Sequence, residues 1–499
     1  MILKLRKTES EPQRIVSGAG KRRWKLPRLK ILLVIVFHVM GALTSVDALM
    51  STRTSQGSIA WIISLNTFPY AAVPSYWIFG RTKFQGYVIS RRETDSELWT
   101  KHLLKTKKVR EFRLDNSNMP GNVRGVEALA KMPFLDGNSA ELLVDGPEKF
   151  DSLFAGIEEA EHYILLQYYI LRHDEIGTEL KRRLIEKAEQ GVDVYLLFDE
   201  IGSYRLSSRY LRRMQEVGIH ARPFHSTKGP GNRFQLNFRN HRKIAIVDGH
   251  HGWVGGINVG DEYLHGSERF PHWRDTHLKI SGPAVMSLQL SFLEDWYWSS
   301  DRIIELNWLP QPVLSDETMP VLILPSGPAD RHETASLMMQ HMIHSASERF
   351  WISSPYFVPD EGVQGALKLA ALRGVDVRVL IPEQPDNRLV YLAAYAFVAP
   401  LLDAGVSIYR YQAGFLHAKS FLLDDQLGSV GTVNLDNRSF RLNFELTALL
   451  AGESFIAELE QQFERDFSYS RRMTMEELAY LPWYFRLASR AAYLMSPVL

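Results

Sequence analysis

Two histidine–lysine motifs with identical internal spacing give the chain its clearest chemical signal. Each has the pattern His-x-Lys-x-x-x-x-Asp. The motif residues, in chain order, are His241, Lys243 and Asp248, then His417, Lys419 and Asp424. Imidazole, with an unperturbed pKa near 6.5, can act as nucleophile, acid or base around neutral pH. The neighbouring ammonium group adds a positive charge and three hydrogen-bond donors. This combination is typical of a site that holds a phosphate and exchanges its ester partner.

A glycine-flanked asparagine follows each motif. The tails read Gly-Gly-Ile-Asn and Gly-Thr-Val-Asn, and the His-to-Asn offset is 17 residues in both. The tail residues expected at the phosphate are Gly256 and Asn258 in the first copy, and Thr432 and Asn434 in the second. Repetition of motif, spacing and tail predicts one site built from two copies. One histidine would attack phosphorus while the other protonates the leaving alcohol.

Each histidine also needs a carboxylate at its second ring nitrogen, which fixes the tautomer and stabilises the imidazolium. In the second copy the candidate is Glu445, 28 residues after His417. In the first copy it is Asp275, 34 residues after His241, so that this pairing requires an insertion. These offsets predict one histidine–carboxylate pair within each copy.

Asp248 and Asp424 have the opposite parity to the motif His and Lys along a strand. We therefore expect them to hold a turn or to pair with a basic side chain. A lysine on the same face as each histidine would repel a cation, so no metal site is predicted there. The phosphate-binding loop of nucleotide-driven enzymes is absent from the sequence, and no cofactor is expected.

Composition restricts the remaining function classes. The chain has 499 residues, a net charge of +1 and no cysteine. Disulfides, thiolate metal sites and cysteine nucleophiles are therefore excluded. A near-neutral chain provides no global field to gather nucleic acid, so no nucleic-acid partner is predicted.

The first 80 residues have the character of a membrane anchor. A basic tail, residues 1–30, carries ten Lys/Arg against two Glu and precedes apolar runs at about 31–50 and 59–80. These runs predict transmembrane segments in a helical hairpin with both ends on the cytoplasmic side. The alternative is a signal peptide cleaved near Val46-Asp47-Ala48.

Beyond a predicted linker at 81–124, strand and helix patterns alternate twice. The segment Gly-Val-Asp-Val-Tyr-Leu-Leu-Phe at 191–198 recurs as Gly-Val-Asp-Val-Arg-Val-Leu-Ile at 374–381. This order predicts an α/β protein with helices on the faces of a sheet, built from duplicated halves at 125–315 and 316–499. The aromatic C-terminus is compatible with an interfacial helix or with a final core helix.

At these motifs the chain resembles the phospholipase D superfamily and, within it, the bacterial cardiolipin synthases. The closer likeness rests on four further segments: Arg-Asn-His-Arg-Lys at 239–243, Trp-Arg-Asp-Thr-His at 273–277, Ser-Ser-Pro-Tyr-Phe-Val-Pro-Asp at 353–360 and Asn-Leu-Asp-Asn-Arg-Ser-Phe at 434–440. The resemblance implies a duplicated phospholipase D-like α/β/α sandwich, a pseudo-dimer of two halves. It also implies an enzyme of the bacterial inner membrane whose catalytic domain faces the cytoplasm.

The resemblance further implies a metal-independent, two-step exchange between two phosphatidylglycerol molecules that yields cardiolipin and glycerol. His241 would be the nucleophile and His417 the acid and base, with the reverse assignment left open. Lys243, Lys419, Asn258 and Asn434 would hold the phosphate, and Gly256 would lack the hydroxyl that many relatives have there.

Three alternatives remain at the level of sequence. The same residues serve a hydrolytic phospholipase D or a transferase that uses another lipid or alcohol. They also serve nucleases, which the charge and the apolar segments disfavour. A non-catalytic membrane scaffold is disfavoured because both copies keep His, Lys and Asn.

Overall fold

The structure is a computed structural model that describes residues 25–52, 54–80, 84, 87, 107–114, 123–224, 237–315 and 317–499. Residues 1–24 of the predicted basic tail lie outside the described residues. The chain divides into two compact units, Met1–Arg81 and Thr82–Leu499.

The first unit is helical. Helix α1 (Lys25–Ser51) contains Leu29–Ser51, the one stretch among the described residues that is long and apolar enough to cross a membrane. The second apolar run forms α2 (Ser55–Thr67), α3 (Pro69–Ser75) and a π-helical turn at Tyr76–Gly80. The run breaks at Phe68 because the next residue is proline, which lacks a backbone N–H and disfavours helical geometry in the residue before it. The second predicted span is therefore helical but interrupted.

Close contacts join α1 to the helices that follow it in this unit. A Cβ on Gly41 would lie 2.2 Å from the Leu65 carbonyl oxygen, so only glycine allows the helices to approach this closely. Tyr76 donates a hydrogen bond from its hydroxyl to Asp47 Oδ2 at 2.9 Å. The residues considered for signal cleavage, 46–48, lie inside α1 and contribute to this packing.

The second unit is built on a 16-stranded sheet. The first-half strands are β1 (Leu135–Val144), β2 (Tyr163–Tyr168), β3 (Asp193–Asp199), β4 (His220–Phe224), β5 (Arg239–Asn240), β6 (Ile244–Val247), β7 (His251–Gly255), β8 (Trp273–Arg274) and β9 (Thr276–Ser281). The second-half strands are β10 (Met319–Ser326), β11 (Arg349–Ser353), β12 (Phe357–Val358), β13 (Asp376–Pro382), β14 (Ser407–Tyr411), β15 (Phe415–Leu416), β16 (Ser420–Leu423), β17 (Leu427–Gly431), β18 (Leu435–Asp436), β19 (Asn443–Leu450) and β20 (Ser470–Arg472).

Strand order shows the duplication directly. The first half runs β1-β9-β7-β6-β2-β3-β4, and the second repeats this order as β10-β19-β17-β16-β11-β13-β14. Antiparallel pairing of β1 with β10 joins the halves into one continuous sheet. Three further pairings involve two-residue strands: β5 with β19 and β8 with β15 cross between the halves, and β12 pairs with β18 within the second half.

Helices cover the sheet. They are α4 (Lys107–Arg110), α5 (Val123–Ala130), α6 (Asp145–Glu159), α7 (Glu175–Glu189), α8 (Ser208–Glu216), α9 (Glu262–His265), α10 (Val285–Ser300), α11 (Thr334–Ser345), α12 (Glu361–Leu372), α13 (Arg388–Asp403), α14 (Asn437–Arg441), α15 (Glu453–Ser468), α16 (Met475–Ala479) and α17 (Trp483–Tyr493).

Successive residues of a strand pack into cores on opposite faces of the sheet, because strand side chains alternate between the two faces. On β2, Leu165 joins a core shared by both halves, whereas Ile164 and Leu166 join a core confined to the first half. Helices α10 and α15 close the shared core. The predicted α/β/α sandwich with duplicated halves is therefore confirmed.

The predicted linker at 81–124 is only partly described, and its described residues belong to the second unit. Phe84 and Tyr87 are buried in the shared core, and Tyr87 donates a hydrogen bond to Asp295 Oδ1 at 2.7 Å. The division between halves at residues 315 and 316 stays a prediction, because the sheet runs through both.

The C-terminal helix α17 packs against the second half, as one of the two expectations for this segment states, and its place at a membrane interface stays a prediction. One face packs on α13, with Phe485 4.9 Å from Tyr395 between ring centroids. The opposite face leaves Trp483 74% exposed and Leu487 62% exposed.

Candidate active site

His241 is positioned by the other half of the chain. It follows β5, whose parallel pairing with β19 lets the His241 amide donate to the Phe444 carbonyl at 2.9 Å. The next residue along β19, Glu445, is fully buried and places Oε2 2.8 Å from His241 Nδ1.

His417 has the mirror arrangement. It follows β15, which pairs with β8, and its amide donates to the Arg274 carbonyl at 2.7 Å. Asp275, again the next residue and again fully buried, places Oδ2 2.6 Å from His417 Nδ1. The expectation of one pair within each copy is therefore wrong, because both pairs cross between halves.

The motif lysines also belong to one shared site. Lys243 donates from Nζ to the His241 carbonyl at 2.6 Å, and Lys419 donates in the same way to the His417 carbonyl. The positive charge of each lysine acts on the histidine of the other copy, lowering its pKa. Burial lowers the pKa of Lys419 to about 8 and that of Lys243 well below its ordinary value.

Burial makes both imidazoles neutral at pH 7. Together with the nearby lysine charges, it lowers the pKa of His241 to about 4 and that of His417 to about 3, against the opposing pull of their carboxylates. Burial alone would raise the pKa of Glu445 and Asp275, but the partner histidine and the neighbouring lysine hold both below the ordinary range. A charged carboxylate accepts from Nδ1–H, which leaves the Nε2 lone pair available as nucleophile or base.

This duplicated geometry agrees with a family model for cardiolipin synthase, PLD-like domain, which matches residues 153–280 and 339–467. A cardiolipin synthase A of Pseudomonas fluorescens is 41% identical over 484 residues, covering 95% of this chain and 99% of its own. Another from Pseudomonas putida is 43% identical over 475 residues, covering 93% and 97%. The chain belongs to the cardiolipin synthase family.

Membership makes the chain a phospholipase D-like phosphatidyltransferase of phospholipid biosynthesis. A solved phosphatidylserine synthase from Haemophilus influenzae shares the fold, with a TM-score of 0.60 at 16% identity. That similarity covers 75% of this chain and 99% of the other.

Within this cardiolipin synthase site, the residues Gly256 and Thr432 support carboxylates. Thr432 was expected at the phosphate, but its hydroxyl donates to Glu445 Oε2 at 2.5 Å. A Cβ on Gly256 would lie 2.1 Å from Asp275 Oδ1. Because aspartate is one methylene shorter than glutamate, its carboxylate occupies the space that the threonine side chain fills in the other copy. The missing hydroxyl at Gly256 thus has a steric cause.

The two tail asparagines differ. Asn258 accepts from the Ile170 amide at 3.0 Å and donates one of its two amide hydrogens to the Tyr263 hydroxyl at 2.7 Å. The Asn434 side-chain oxygen is buried and has no hydrogen-bond partner among the described residues. Phosphate oxygens accept hydrogen bonds, so a contact with phosphate would use the Asn434 amide N–H groups and not this oxygen.

The motif aspartates hold main chain. Asp248 accepts from the amides of residues 161, 162 and 163 at 2.7–2.8 Å, immediately before and at the start of β2. Asp424 does the same for residues 347, 348 and 349 before β11. Both adopt positive φ, 52° and 45°. Each aspartate thus fixes the turn that ends a motif strand against the neighbouring strand.

A buried ion pair behind His241 was not anticipated from the sequence. Arg242 donates from Nη1 to Asp295 Oδ2 at 2.9 Å, and Gln167 and Asn240 donate to the same oxygen at 2.7 and 2.8 Å. Strand alternation could have predicted that the side chains of residues 240 and 242 point away from those of residues 241 and 243. The network fixes the segment that carries His241.

Aromatic rings wall the site. Tyr169 lies 5.0 Å from His241 and Trp273 lies 5.3 Å from His417, between ring centroids. Among the described residues, no cluster of three or more His, Asp or Glu side chains is arranged to hold a metal ion.

Proposed function

We propose that the site transfers a phosphatidyl group between two phosphatidylglycerol molecules, giving cardiolipin and glycerol. The observation that supports this most strongly is the pair of crossed histidine–carboxylate contacts, which set two neutral imidazoles and two lysines in one buried site. One imidazole can act as nucleophile while the other handles the proton of the departing or arriving alcohol.

In the first step, Nε2 of one histidine attacks phosphorus, and the bond from phosphorus to the oxygen of the headgroup glycerol breaks. The other histidine gives a proton to that oxygen. Both imidazoles are neutral in the empty site; the phosphodiester anion favours uptake of one proton by the acid histidine, while the attacking histidine stays neutral. In the second step, the same histidine takes the proton of a headgroup hydroxyl on the second phosphatidylglycerol. That oxygen attacks phosphorus, and the nitrogen–phosphorus bond breaks.

Individual roles follow from position. We assign His241 as nucleophile and His417 as acid and base, with Glu445 and Asp275 orienting them. Lys243, Lys419 and the side-chain N–H donors of Asn434 hold the phosphate oxygens. Asn258 positions Tyr263 and main chain instead of contacting the phosphate, in keeping with its bonds.

The activity test uses the full chain purified in detergent, labelled phosphatidylglycerol and a chelator. We expect cardiolipin and glycerol in equal amounts. Phosphatidic acid as the sole product would refute transfer in favour of hydrolysis, and strict dependence on added metal would refute the mechanism.

Roles can be separated with a donor whose leaving group, such as p-nitrophenol, needs no acid. With this donor, His417→Ala should accumulate an acid-labile phosphatidyl-enzyme, whereas His241→Ala should form none. The opposite pattern would exchange the roles of the two histidines.

We also propose that the first unit anchors the enzyme in the bacterial inner membrane with both of its ends in the cytoplasm. Support comes from the exposed apolar surface of Leu29–Ser51 and from the bond of Tyr76 to Asp47, which involves the segment that signal cleavage would cut. Reporter fusions after residues 50 and 100 test the topology. A periplasmic reporter at 50 and a cytoplasmic one at 100 are expected, and a periplasmic reporter at 100 would contradict the hairpin.

A further inference from the structure

A synthase that joins two phosphatidylglycerols must hold two phosphates. If the proposed function is correct, the histidine–lysine cluster accounts for the phosphate under attack. The acceptor lipid carries its own phosphodiester anion, three carbons from the attacking hydroxyl. A second group of cations near His241 would therefore be required.

Arg239 lies on the reacting side of its segment. The side chains of Asn240 and Arg242 both turn toward the buried carboxylate of Asp295. Because side chains alternate along an extended segment, residue 239 faces the opposite side together with His241 and Lys243.

Arg438 is brought to the same place by the pairing of β5 with β19. The Arg239 amide donates to the Leu442 carbonyl at 3.4 Å, and the Leu442 amide donates to the Arg438 carbonyl at 2.8 Å. The Arg438 side chain reaches back toward the β5 segment, donating to Asn237 Oδ1 at 3.0 Å and to its carbonyl at 2.9 Å. The two guanidinium groups are close enough that Arg239 helps to lower the pKa of Arg438, second to burial.

Neither arginine has a carboxylate partner within the described part of the chain. The side chain of Arg239 donates to the Phe238 carbonyl at 2.5 Å, and that of Arg438 donates to oxygens of Asn237 and Val498. By contrast, Arg242 and Arg274 are held in buried ion pairs.

Two carboxylates in this neighbourhood are already occupied. Asp199 accepts from the amides of residues 201, 202 and 240, and Asp436 accepts from the amide of Ser439. Burial also raises the pKa of Asp436 to about 6, so this carboxylate is still mostly ionised at pH 7. The charges of these carboxylates act on the arginine pair, but among the described residues none forms an ion pair with it.

Tyr169 links this pair to the reacting centre. Its ring lies 5.0 Å from the His241 ring, and Lys243 Nζ lies 5.4 Å from its centroid. The charges of Arg239 and Arg438 both act on the same tyrosine. We propose that Arg239 and Arg438 bind the phosphate of the acceptor phosphatidylglycerol, leaving its terminal headgroup hydroxyl free to attack the phosphatidyl-histidine.

The test compares two acceptors in the detergent-purified enzyme. Cardiolipin formation needs an acceptor that carries a phosphate, whereas incorporation of labelled free glycerol into phosphatidylglycerol uses the same intermediate and needs none. Arg239→Gln should lower cardiolipin formation at subsaturating phosphatidylglycerol by about 10- to 100-fold, the size expected for losing a charged hydrogen bond of about 1.5–3 kcal/mol. Glycerol exchange should stay within about twofold of the unmodified enzyme, and Arg239→Lys should recover part of the loss by restoring charge.

Arg373→Gln is the matched control, because Arg373 also donates to main-chain carbonyls but lies at the end of α12. It should leave both reactions unchanged. Equal loss of both reactions in Arg239→Gln, or no loss in either, would overturn the proposal. Failure of the proposed function has a different signature, since the unmodified enzyme and the Arg373→Gln control would then make no cardiolipin.

Discussion

Substituting Gly256 by alanine tests whether the position of the Asp275 carboxylate controls His417. An added Cβ would lie 2.1 Å from Asp275 Oδ1, and real Cβ contacts essentially never fall below 3.0 Å, so the carboxylate must retreat by about 0.9 Å. The carboxylate is planar and rigid, so Oδ2, now 2.6 Å from His417 Nδ1, moves with it toward a separation at which the hydrogen bond is lost. Gly256 does not have positive φ, so alanine adds no backbone strain there.

The expected cost is that of one charge-assisted hydrogen bond, about 1.5–3 kcal/mol. If the bond also holds in the transition state, kcat for cardiolipin formation should fall by about 10- to 100-fold. The assay is turnover of labelled phosphatidylglycerol in detergent, with thermal unfolding measured in parallel. Gly365→Ala is the control, because a Cβ at Gly365 would meet nothing within 4 Å.

The second copy supplies a rescue. Thr432 and Gly256 have matching main-chain bonds, donating to the carbonyls one residue after Glu445 and Asp275 at 2.8 and 3.0 Å. The double variant Gly256→Thr with Asp275→Glu should therefore reproduce the second copy and be more active than Gly256→Thr alone. Activity of Gly256→Ala within twofold of the control would refute the steric reasoning, and so would a double variant no better than the single.

Three other predictions concern charge and stability. Because burial lowers the pKa of Lys419 to about 8, kcat/KM should fall as pH rises through that value. Lys419→Arg should be slower but should not show this fall, because arginine stays charged. The same fall in Lys419→Arg would mean that another group causes it. His241 and His417 bind protons more weakly in the folded state, with pKa values of about 4 and 3, so the unfolded state takes up more protons and stability should be lost as pH falls from about 6.5 toward 4. The decrease of Tm with falling pH should be less steep in His417→Gln than in the unmodified enzyme. Equal decreases in the two proteins would contradict this. Asp248→Ala removes the acceptor of three amides and should destabilise the fold by about 2–4 kcal/mol in denaturant unfolding, whereas lost activity at unchanged stability would point to a direct catalytic role.

The doubled motif was sufficient to predict a duplicated α/β fold and a single phosphate site, because equal spacing in two copies reflects equal local structure. The motif could not predict that each histidine pairs with a carboxylate of the other half. His241 and Glu445 are 204 residues apart, and their contact depends on β5 pairing with β19 instead of with a strand of its own half. Sequence offsets within a copy contain no information about that choice.

Other misses have local causes. The sequence Asp-Gly-Pro at 145–147 is typical of a turn, but the structure begins α6 at Asp145, directly after β1. Proline is well tolerated in the first turn of a helix, where its missing N–H is not needed. The roles of Thr432 and Gly256 depended on the lengths of facing carboxylates, which a single sequence does not place opposite one another.

Crossed pairing makes the duplication indispensable to both catalysis and assembly. Glu445 and Asp275 are fully buried, and each is held charged by a histidine and a lysine that the other half supplies. A half on its own would lack the carboxylate that contacts its motif histidine. Separation of the halves would therefore break both histidine–carboxylate contacts, in keeping with the single compact unit that contains them. The same contacts that orient each histidine for phosphoryl transfer thus hold the two halves of the site together.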